Sequence, residues 1–461
     1  MNLKFEKKEI GQLRVTIDLC CCIRDESFGP DAERFIFQFG DSMQYAQNYG
    51  SVEISEKKTV ISTDIFGGNR IYYFSDGRNV TITDNIFRYF SEEELNNLTI
   101  DPNEKHYFNK HGYTSGFSTV YKEIKKIPPC SSLIIDTNGL MLKSNWSFQH
   151  IENIPDRDSF VKEVHESVLK ELSLLRGMDR PVVLCFSGGV DSSYLEVVLQ
   201  ELNIDHTLVF FKDASVAANR KEIAKAREKA QSFGKKLVEI DIRGKHDVKI
   251  EEELRKFNYF DRHYGRLHMY GVREISNRYK NAIIVNGQNS DSILSFGPSE
   301  DKMSSYVKRY FIYGRNRILK RLYGNIIGAL FRRRLRVPTD EERPHAIFDN
   351  FKYCMLLENE RPEYCQWRKE MVETIIEFNR VSSDMNQTFT CLKLYSHTHS
   401  ADAQIVTQSA KMNGLDLLMP LSTPRFIELT LRYKQDEIEL ANPKYVLKDY
   451  LQCSPLASDR R

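Results

Sequence analysis

The sequence predicts an α/β protein. A layered α+β domain, residues 1–150, precedes a doubly wound parallel-sheet domain with a helical C-terminal part, residues 151–461. Three observations predict this fold class. Short apolar runs between turn residues dominate the first part, which indicates strands. In the second part such runs alternate with segments of helical periodicity, as in repeated strand–helix units. A glycine-rich turn at residues 187–193 lies between a predicted strand and a predicted helix.

The first domain is expected to form two packed sheets, because each short strand needs a partner layer on which to bury its apolar face. The apolar runs that predict its strands are 13–22, 32–40, 60–64, 71–74, 80–83 and 132–136. Glycine-containing turn signals separate them at 67–69, 76–77 and 138–139.

The second domain alternates strands and helices. Strands are predicted at 182–186, 206–211, 237–241 and 282–285, and helices at 160–175, 194–202 and 219–233. Ligands of such sheets bind beyond the carboxyl ends of the strands. Ser187 and Asn286 each follow a predicted strand, so we expect both at one edge of the sheet. Residues 345–461 are predicted to be mainly helical.

The composition excludes several classes of protein. With 461 residues, 41% hydrophobic residues and a net charge of +2, the chain is typical of a globular protein and gives no argument for nucleic-acid binding. No apolar run approaches the roughly 18 residues of a membrane span. The N-terminus does not have the pattern of a signal peptide. The nine cysteines lack metal-site spacing, and their only cluster, 20–22, suits a strand, with a redox role as the alternative. Their odd number and scattered positions indicate a reduced, cytoplasmic protein.

The stretch at 187–193, here called the glycine turn, reads Ser-Gly-Gly-Val-Asp-Ser-Ser. Its glycines let the backbone approach an anion, and the start of the following helix offers free amides and a positive dipole end. Ser187 and Ser192 supply hydroxyl donors, and the Asp191 carboxylate suits Mg²⁺ beside phosphate oxygens. The turn lacks the spacing and the lysine of a Walker motif. An ordinary strand–turn–helix corner is the alternative interpretation.

The glycine turn resembles the PP-loop of the ATP pyrophosphatases, which split ATP between its α and β phosphates. Further stretches resemble asparagine synthetases, at 63–73, 112–136, 286–291, 414–421 and 444–448. The first two of them are similar to the class II glutamine amidotransferase domain of that family. The resemblance implies an amidotransferase-like domain followed by a synthetase domain that uses ATP and Mg²⁺.

The resemblance also implies roles for individual residues. Ser187 and Ser192 would hold the leaving pyrophosphate, and Asp191 and Asp291 would bind Mg²⁺. The nucleotide would be contacted by Ser187, Gly188, Gly189, Asp191, Ser192, Ser193, Leu208, Phe210, Gly287 and Gln288. The family lysine that stabilises the adenylate has no match here. Lys444, Lys448 and Arg460 are the candidates to replace it.

Two departures from the family bear on the reaction. Amidotransferases of this class begin with a nucleophilic cysteine, whereas this chain begins Met1-Asn2 and has no cysteine before Cys20. We therefore expect the first domain to lack glutaminase activity. Gln288 stands where asparagine synthetases have an acidic residue facing the acyl substrate, and a glutamine cannot act as a general base. β-Lactam synthetases and lasso-peptide cyclases are relatives that lost the cysteine and close an amide within one substrate.

A basic segment at 301–338 interrupts the second domain. Between 308 and 336 it has ten Lys or Arg residues and no acidic residue, interleaved with aromatic and aliphatic residues. Such a segment suits a solvated lid, an anionic substrate or membrane surface, or a protein partner. These alternatives stay open, as does a location at the periphery of a membrane.

The function predicted from the sequence is ATP-dependent amide-bond formation. A carboxylate of a small molecule or peptide would be adenylated, with AMP and pyrophosphate as products, and the acyl group would pass to an amine. The alternatives are an asparagine synthetase that uses ammonia or an external glutaminase, and a non-catalytic nucleotide-binding paralogue. No nucleic-acid partner is expected, and the sequence does not predict the oligomeric state.

Overall fold

A computed structural model describes most of both predicted domains. The described residues are 3–19, 22–24, 32–37, 50–64, 68–111, 114, 118–145, 154, 156–213, 217–242, 248–249, 252, 265–288, 290–294, 373, 376, 397–433 and 444–453. The basic segment 301–338, with its anionic-surface candidate 308–336, lies outside these residues. So do the cysteines at 20 and 21 and Arg460.

Two sheets form the first part of the chain. The first contains β1 Leu3–Ile10, β2 Leu13–Leu19, β7 Tyr72–Ser75, β8 Asn79–Thr83 and β9 Ile124–Lys126, in the order β1-β2-β8-β7-β9. The second contains β3 Cys22–Arg24, β4 Ala32–Phe37, β5 Gly50–Ser55, β6 Lys58–Ser62, β10 Ser131–Asp136 and β11 Gly139–Ser144, in the order β11-β10-β6-β5-β4-β3. Buried residues of both sheets, such as Ile17, Val52 and Ile82, share one core.

The two-sheet prediction is confirmed, and each predicted strand overlaps an observed one. Strands β1, β3, β5, β9 and β11 were not predicted, although the run predicted at 13–22 includes Cys22, the first residue of β3. Two helices accompany the sheets, α1 Glu92–Asn96 and α2 Pro102–His111. The first is fixed by a capping box, in which the Ser91 hydroxyl and the Glu94 carboxylate each accept a backbone amide of the other.

A third sheet, wholly parallel, forms the second part. Its strands are β12 Val182–Cys185, β13 Thr207–Lys212, β14 Leu237–Asp241, β15 Ile283–Val285 and β16 Asp416–Leu418, in the order β14-β13-β12-β15-β16. The direction of chain progression reverses between β12 and β15, so this is the doubly wound fold predicted from the sequence. The turns after these two strands therefore flank the crevice where ligands of such sheets bind.

Helices cover both faces of this sheet. They are α3 Arg157–Ser173, α4 Val190–Glu201, α5 Ala217–Ser232, α6 Gly265–Arg278, α7 Ser290–Leu294, α8 His397–Met412, α9 Pro424–Arg432 and α10 Tyr445–Cys453. One core joins α3, α4, α5, α9 and α10 to the sheet, and the other joins α6 and α8 to its opposite face. None of the described helices is long and apolar enough to cross a membrane.

Two details correct the sequence prediction. Helix α4 begins at Val190 rather than at 194, because Gly189 serves as the N-cap and Asp191 in the first turn complements the helix dipole. The stretch predicted to be helical after residue 345 contains strand β16, whose three residues are too few to display a period. Strand β16 extends the sheet beyond β15 and was missed.

The first part of the chain contacts the second through helix α8. The Lys411 amine donates to the side-chain oxygen of Asn69 at 3.1 Å. Gly68 lies so close to α8 that a methyl group on it would meet the Thr407 hydroxyl at 3.0 Å. The turn around Asn69, which resembles the amidotransferase region, therefore packs on the parallel-sheet domain.

Candidate functional site

The glycine turn joins β12 to α4 at the carboxyl edge of the parallel sheet. The Ser187 hydroxyl accepts the Gly189 amide at 3.2 Å, and the Ser192 hydroxyl lies 3.2 Å from the Ser187 amide and 3.3 Å from the Ser187 hydroxyl. These contacts fold the turn back on the first turn of α4. Gly189 caps that helix and has no side chain to satisfy its first amides. The turn thus has the form of an anion cradle.

Gly188 holds the cradle against a neighbouring helix. Its φ of +68° lies in the left-handed region that glycine adopts without steric cost. A Cβ at this position would lie 2.8 Å from Cα of Ala226 in α5, closer than carbon atoms can approach. Two separate constraints, conformation and space, therefore require glycine at position 188.

The second turn, 286–291, lies directly beside the first. The Asn286 side chain accepts the Gln288 amide at 2.8 Å, and the Gln288 carbonyl accepts the Ser422 hydroxyl at 2.7 Å. A Cβ on Gly287 would lie 3.0 Å from Cβ of Asp191. The structure thus brings the two turns together across the switch point. Asp291 lies in the first turn of α7, and its side chain is outside the described residues.

Asp191, in the second half of the glycine turn, lies in the first turn of α4. Its side chain is 20% exposed, and its carboxylate accepts a hydrogen bond from the Lys444 amine at 2.5 Å. Lys444 itself is 13% exposed and lies 253 residues further along the chain. The structure therefore places one of the two lysines proposed from the sequence at the glycine turn.

The backbone of Lys444 is also constrained. Its φ is +61°, and its amide donates to the carbonyl of Leu294, the last residue of α7, at 3.0 Å. Left-handed backbone at a residue other than glycine costs about 1–2 kcal/mol and persists where its surroundings impose it. Lys444 thus forms hydrogen bonds with two helices: its side chain bonds Asp191 in α4, and its backbone amide bonds Leu294 in α7. Lys448 lies one turn further along α10, where its amide bonds back to the Lys444 carbonyl at 3.1 Å.

Helix α10, which Lys444 precedes, is fastened to the rest of the domain by polar contacts. Arg157 bonds Asp449, and the Tyr450 hydroxyl donates to Glu201 at 2.7 Å. Because Lys444 meets the start of α4 and Tyr450 meets its end, the two helices run in the same direction. Their N-termini therefore lie at the same edge of the sheet, where both helix dipoles favour an anion.

The donor set fits Mg²⁺ bound together with phosphates. Asp191 offers a hard carboxylate oxygen, and α7 carries Asp291 in the adjoining segment. Among the residues that the structure describes, no three His, Cys, Asp or Glu side chains cluster as a metal site. Mg²⁺ commonly takes one or two carboxylates and completes its shell with phosphate oxygens and water, so the Asp191 carboxylate beside the glycine turn suits a metal that is bound together with phosphates.

Other groups near the cradle fit a polar ligand. In the described part of the chain, the buried hydroxyls of Ser193 and Ser290 have no hydrogen-bond partner. A buried hydroxyl left unpaired costs about 1–3 kcal/mol, which a ligand or water can recover. Each of these serines adjoins a proposed metal segment. Their contact with nucleotide stays a prediction.

Two further residues proposed to contact the nucleotide, Leu208 and Phe210, lie in strand β13. Leu208 is buried in β13, paired with Leu184 and Leu237, and Phe210 lies two residues nearer the carboxyl edge. Their predicted contacts with adenine remain untested. Cys185, which sequence reasoning did not single out, ends β12 beside Asn286. Burial raises the pKa of its thiol to about 12, partly offset by a hydrogen bond with Asn286, so it is no thiolate nucleophile at neutral pH.

Comparison with known proteins gives a limited match. No family model matches the chain. It is 26% identical over 178 residues to asparagine synthetase (glutamine-hydrolyzing) 1 of Bacillus subtilis, a match that covers 37% of this chain and 27% of that protein. The chain thus aligns with about a quarter of that relative. This similarity confirms the resemblance to asparagine synthetases in part and does not identify a particular member.

Two solved structures show weaker likeness. The ammonia-dependent NAD synthetase of Campylobacter jejuni is 14% identical, with a TM-score of 0.21 over 48% of this chain and 94% of that chain. The U34-tRNA thiolase NcsA of Methanococcus maripaludis is 14% identical, with a TM-score of 0.24 over 56% and 81% of the respective chains. At such scores we draw no functional conclusion from either.

Proposed function

We propose that this protein is an ATP-dependent carbon–nitrogen ligase that adenylates a substrate carboxylate and transfers the acyl group to an amine. The observation that carries the proposal is the meeting of Asp191, Lys444 and the backbone of Gly287 at the glycine turn. The similarity to an asparagine synthetase supports the same general class of reaction.

In the first step, a carboxylate oxygen of the substrate attacks the α-phosphorus of ATP. The bond from that phosphorus to the bridging oxygen breaks, and pyrophosphate leaves with the electron pair. The amides at the start of α4 and the hydroxyls of Ser187 and Ser192 stabilise the negative charge that accumulates on the leaving group. The Lys444 ammonium adds a positive charge on the same side. Mg²⁺, when bound at Asp191 and Asp291, neutralises phosphate charge.

In the second step, the amine nitrogen attacks the carbonyl carbon of the acyl-adenylate. The carbon–oxygen bond to AMP breaks, the nitrogen loses a proton, and the amide is formed. Gln288 cannot accept that proton. The half-buried turn that carries it contributes shape and hydrogen bonds rather than base catalysis. The expected absence of glutamine hydrolysis stays a prediction, and glutamate release from glutamine tests it.

The test is exchange of radiolabelled pyrophosphate into ATP in the presence of Mg²⁺. Aspartate, uronic acids, β-amino acids and short peptides serve as acyl donors in turn. Exchange that depends on one class of acid would support adenylation and reveal the donor. Failure of every acid, together with no Mg²⁺-dependent binding of ATP or pyrophosphate, would contradict the proposal.

A second candidate is asparagine synthesis from aspartate and ammonia. The similarity to the Bacillus subtilis enzyme favours it, whereas Gln288 in place of an acid argues against it. Formation of asparagine from aspartate, ammonium and ATP distinguishes it from ligation of another acid. Aspartate that supports neither exchange nor asparagine formation would exclude this candidate.

A further inference from the structure

We infer that Lys444 makes metal binding at Asp191 conditional on a phosphate-bearing ligand, so that free metal is kept out and metal enters together with pyrophosphate or ATP. This inference rests on the proposed function, because it concerns the same site. It adds an order of binding that the proposed reaction does not require.

The first argument is that Lys444 occupies one of the two oxygens of the Asp191 carboxylate, Oδ2. The Lys444 nitrogen lies 2.5 Å from Oδ2 of Asp191, and both side chains are mostly buried. A magnesium ion bound to that oxygen would lie about 2.1 Å from it. Two cations at such distances from one oxygen repel each other strongly where solvent screening is weak. Metal binding at this oxygen therefore requires the ammonium to move away.

The second argument is that the structure imposes the position of Lys444. The left-handed backbone of Lys444 and its amide bond to Leu294 fix where the side chain starts. The contacts of Asp449 with Arg157 and of Tyr450 with Glu201 fix the helix that follows it. The lysine is thus anchored between the segments that carry Asp191 and Asp291. Because its position is fixed, the Lys444 ammonium competes with a metal ion for the Asp191 carboxylate.

The third argument is what a phosphate ligand changes. Phosphate oxygens are ligands that Mg²⁺ commonly takes together with one or two carboxylates. The same oxygens are good hydrogen-bond acceptors for an ammonium group. A phosphate at the start of α4 therefore gives Lys444 a new partner while it brings ligands for the metal. Both effects make metal and phosphate bind cooperatively.

The experiment is a Mn²⁺ titration followed by electron paramagnetic resonance, which reports free Mn²⁺ and needs no catalysis. The full chain and its Lys444→Met variant are each titrated with and without pyrophosphate. Lys162→Met is the matched control, since it removes the same charge from an exposed surface pair with Glu166. Pyrophosphate binding is measured separately by calorimetry.

We expect the unsubstituted protein to bind Mn²⁺ alone weakly and to bind it at least about tenfold more tightly with pyrophosphate. Lys444→Met is expected to bind Mn²⁺ alone about tenfold more tightly than the unsubstituted protein, and to gain much less from pyrophosphate. Lys444→Arg, which keeps the charge, and Lys162→Met are expected to behave like the unsubstituted protein.

If Lys444→Met binds free Mn²⁺ no more tightly while pyrophosphate still binds, the inference is wrong and the proposed function stands. If neither pyrophosphate nor ATP binds any of the proteins, the proposed function itself is wrong. Should Lys444→Met not fold, Lys444→Asn replaces it, because asparagine tolerates the left-handed backbone. The same two results then decide the question.

Discussion

Two carboxylates, one in each part of the molecule, each lie shortly after a strand and have different hydrogen-bond partners. Asp64 follows β6, is 4% exposed, and accepts the amides of Gly68 and Asn69 at 2.9 Å each. Asp191 follows β12, is 20% exposed, and meets a lysine from a distant part of the chain. The first carboxylate therefore has hydrogen-bond donors within five residues of it in the chain. The second carboxylate lies at the candidate site, where it bonds Lys444 from a distant segment of the chain.

The hydrogen-bond partners of the two carboxylates distinguish a structural polar segment from a candidate functional one. The Asp64 turn also receives a side-chain hydrogen bond from Asn69 at 3.3 Å, so local groups satisfy both carboxylate oxygens. The glycine turn instead combines a glycine N-cap, two hydroxyls and an ion pair with a residue 253 positions away. A glycine N-cap combined with an ion pair to a residue from a distant segment marks the candidate site.

Exchanging each carboxylate for an amide should separate the two roles, and this is the largest effect that we expect. Asp191→Asn should reduce ATP–pyrophosphate exchange at least about 100-fold, because the proposed metal ligand and the partner of Lys444 are both lost. Asp64→Asn should retain exchange but lower the free energy of unfolding by about 2 kcal/mol, because a buried acceptor becomes partly a donor. Exchange rates and thermal unfolding measure the two effects.

The assignment of a structural role to Asp64 and a functional role to Asp191 would be wrong if Asp64→Asn abolished exchange in a folded protein, or if Asp191→Asn retained exchange. Circular dichroism of both variants serves as the control for folding.

Two glycines with left-handed backbone, one in each part of the molecule, allow a second comparison. Gly188 has φ +68° and no room for a Cβ, whereas Gly77, in the turn between β7 and β8, has φ +89° and nothing within 4 Å of a Cβ. Gly77→Ala should cost about 1–2 kcal/mol of unfolding free energy through backbone strain alone. Gly188→Ala should cost about 1–3 kcal/mol more, since α5 must move, and should weaken ATP binding at least tenfold. Chemical denaturation and nucleotide titration measure these losses.

Equal losses of stability in the two variants, with unchanged ATP binding, would show that the contact with α5 does not constrain the glycine turn.

The third and smallest expected effect concerns two largely buried basic side chains, His165 in the second part of the molecule and Lys126 in the first. Burial lowers the pKa of His165 below 6.5 and that of Lys126 well below 10.5, the latter with help from the charge of Arg70. In each case the folded protein binds fewer protons than the unfolded chain, so stability rises with pH through the window below the unfolded pKa. We expect His165 to contribute a loss of stability on acidification below pH 6.5 and Lys126 a gain on alkalinisation toward pH 10.5.

Thermal unfolding from about pH 5 to pH 10 measures both slopes. His165→Gln should flatten only the acidic part of the profile, and Lys126→Met only the alkaline part, by at most about 1.4 kcal/mol each over one pH unit, the value for one proton. A variant with an unchanged slope in its own window would contradict the assignment.

The elements around the glycine turn were predictable because the signals are local. Strand β12 is a short apolar run that ends at a glycine turn, and β14 was predicted with its observed bounds. Strand β1 was missed because its lysines and glutamates mask the alternation expected of a half-buried strand. Strand β16 was missed because it has only three residues.

The candidate site was only partly predictable, for a different reason. The glycine turn and the segment at 286–291 carry recognisable residues, so their proximity followed from the fold class. The choice between Lys444 and Lys448 did not follow, because both match the same short pattern. Only the packing of α10 along α4 brings Lys444 to Asp191. The close approach of Gly188 to Ala226 likewise depends on backbone positions that no sequence pattern encodes.

The distance along the chain between Asp191 and Lys444 has a consequence for biosynthesis. At the usual elongation rates of about 5–20 residues per second, roughly 10–50 s separate the synthesis of the glycine turn from that of its lysine. Strand β16, which pairs with β15, emerges late as well. Until then the edge of β15 is an open parallel strand of isoleucine and valine, which invites wrong pairing. A nascent chain therefore acquires the Asp191–Lys444 contact only after 253 further residues have been synthesised, and ribosome pausing before β16 would favour aggregation.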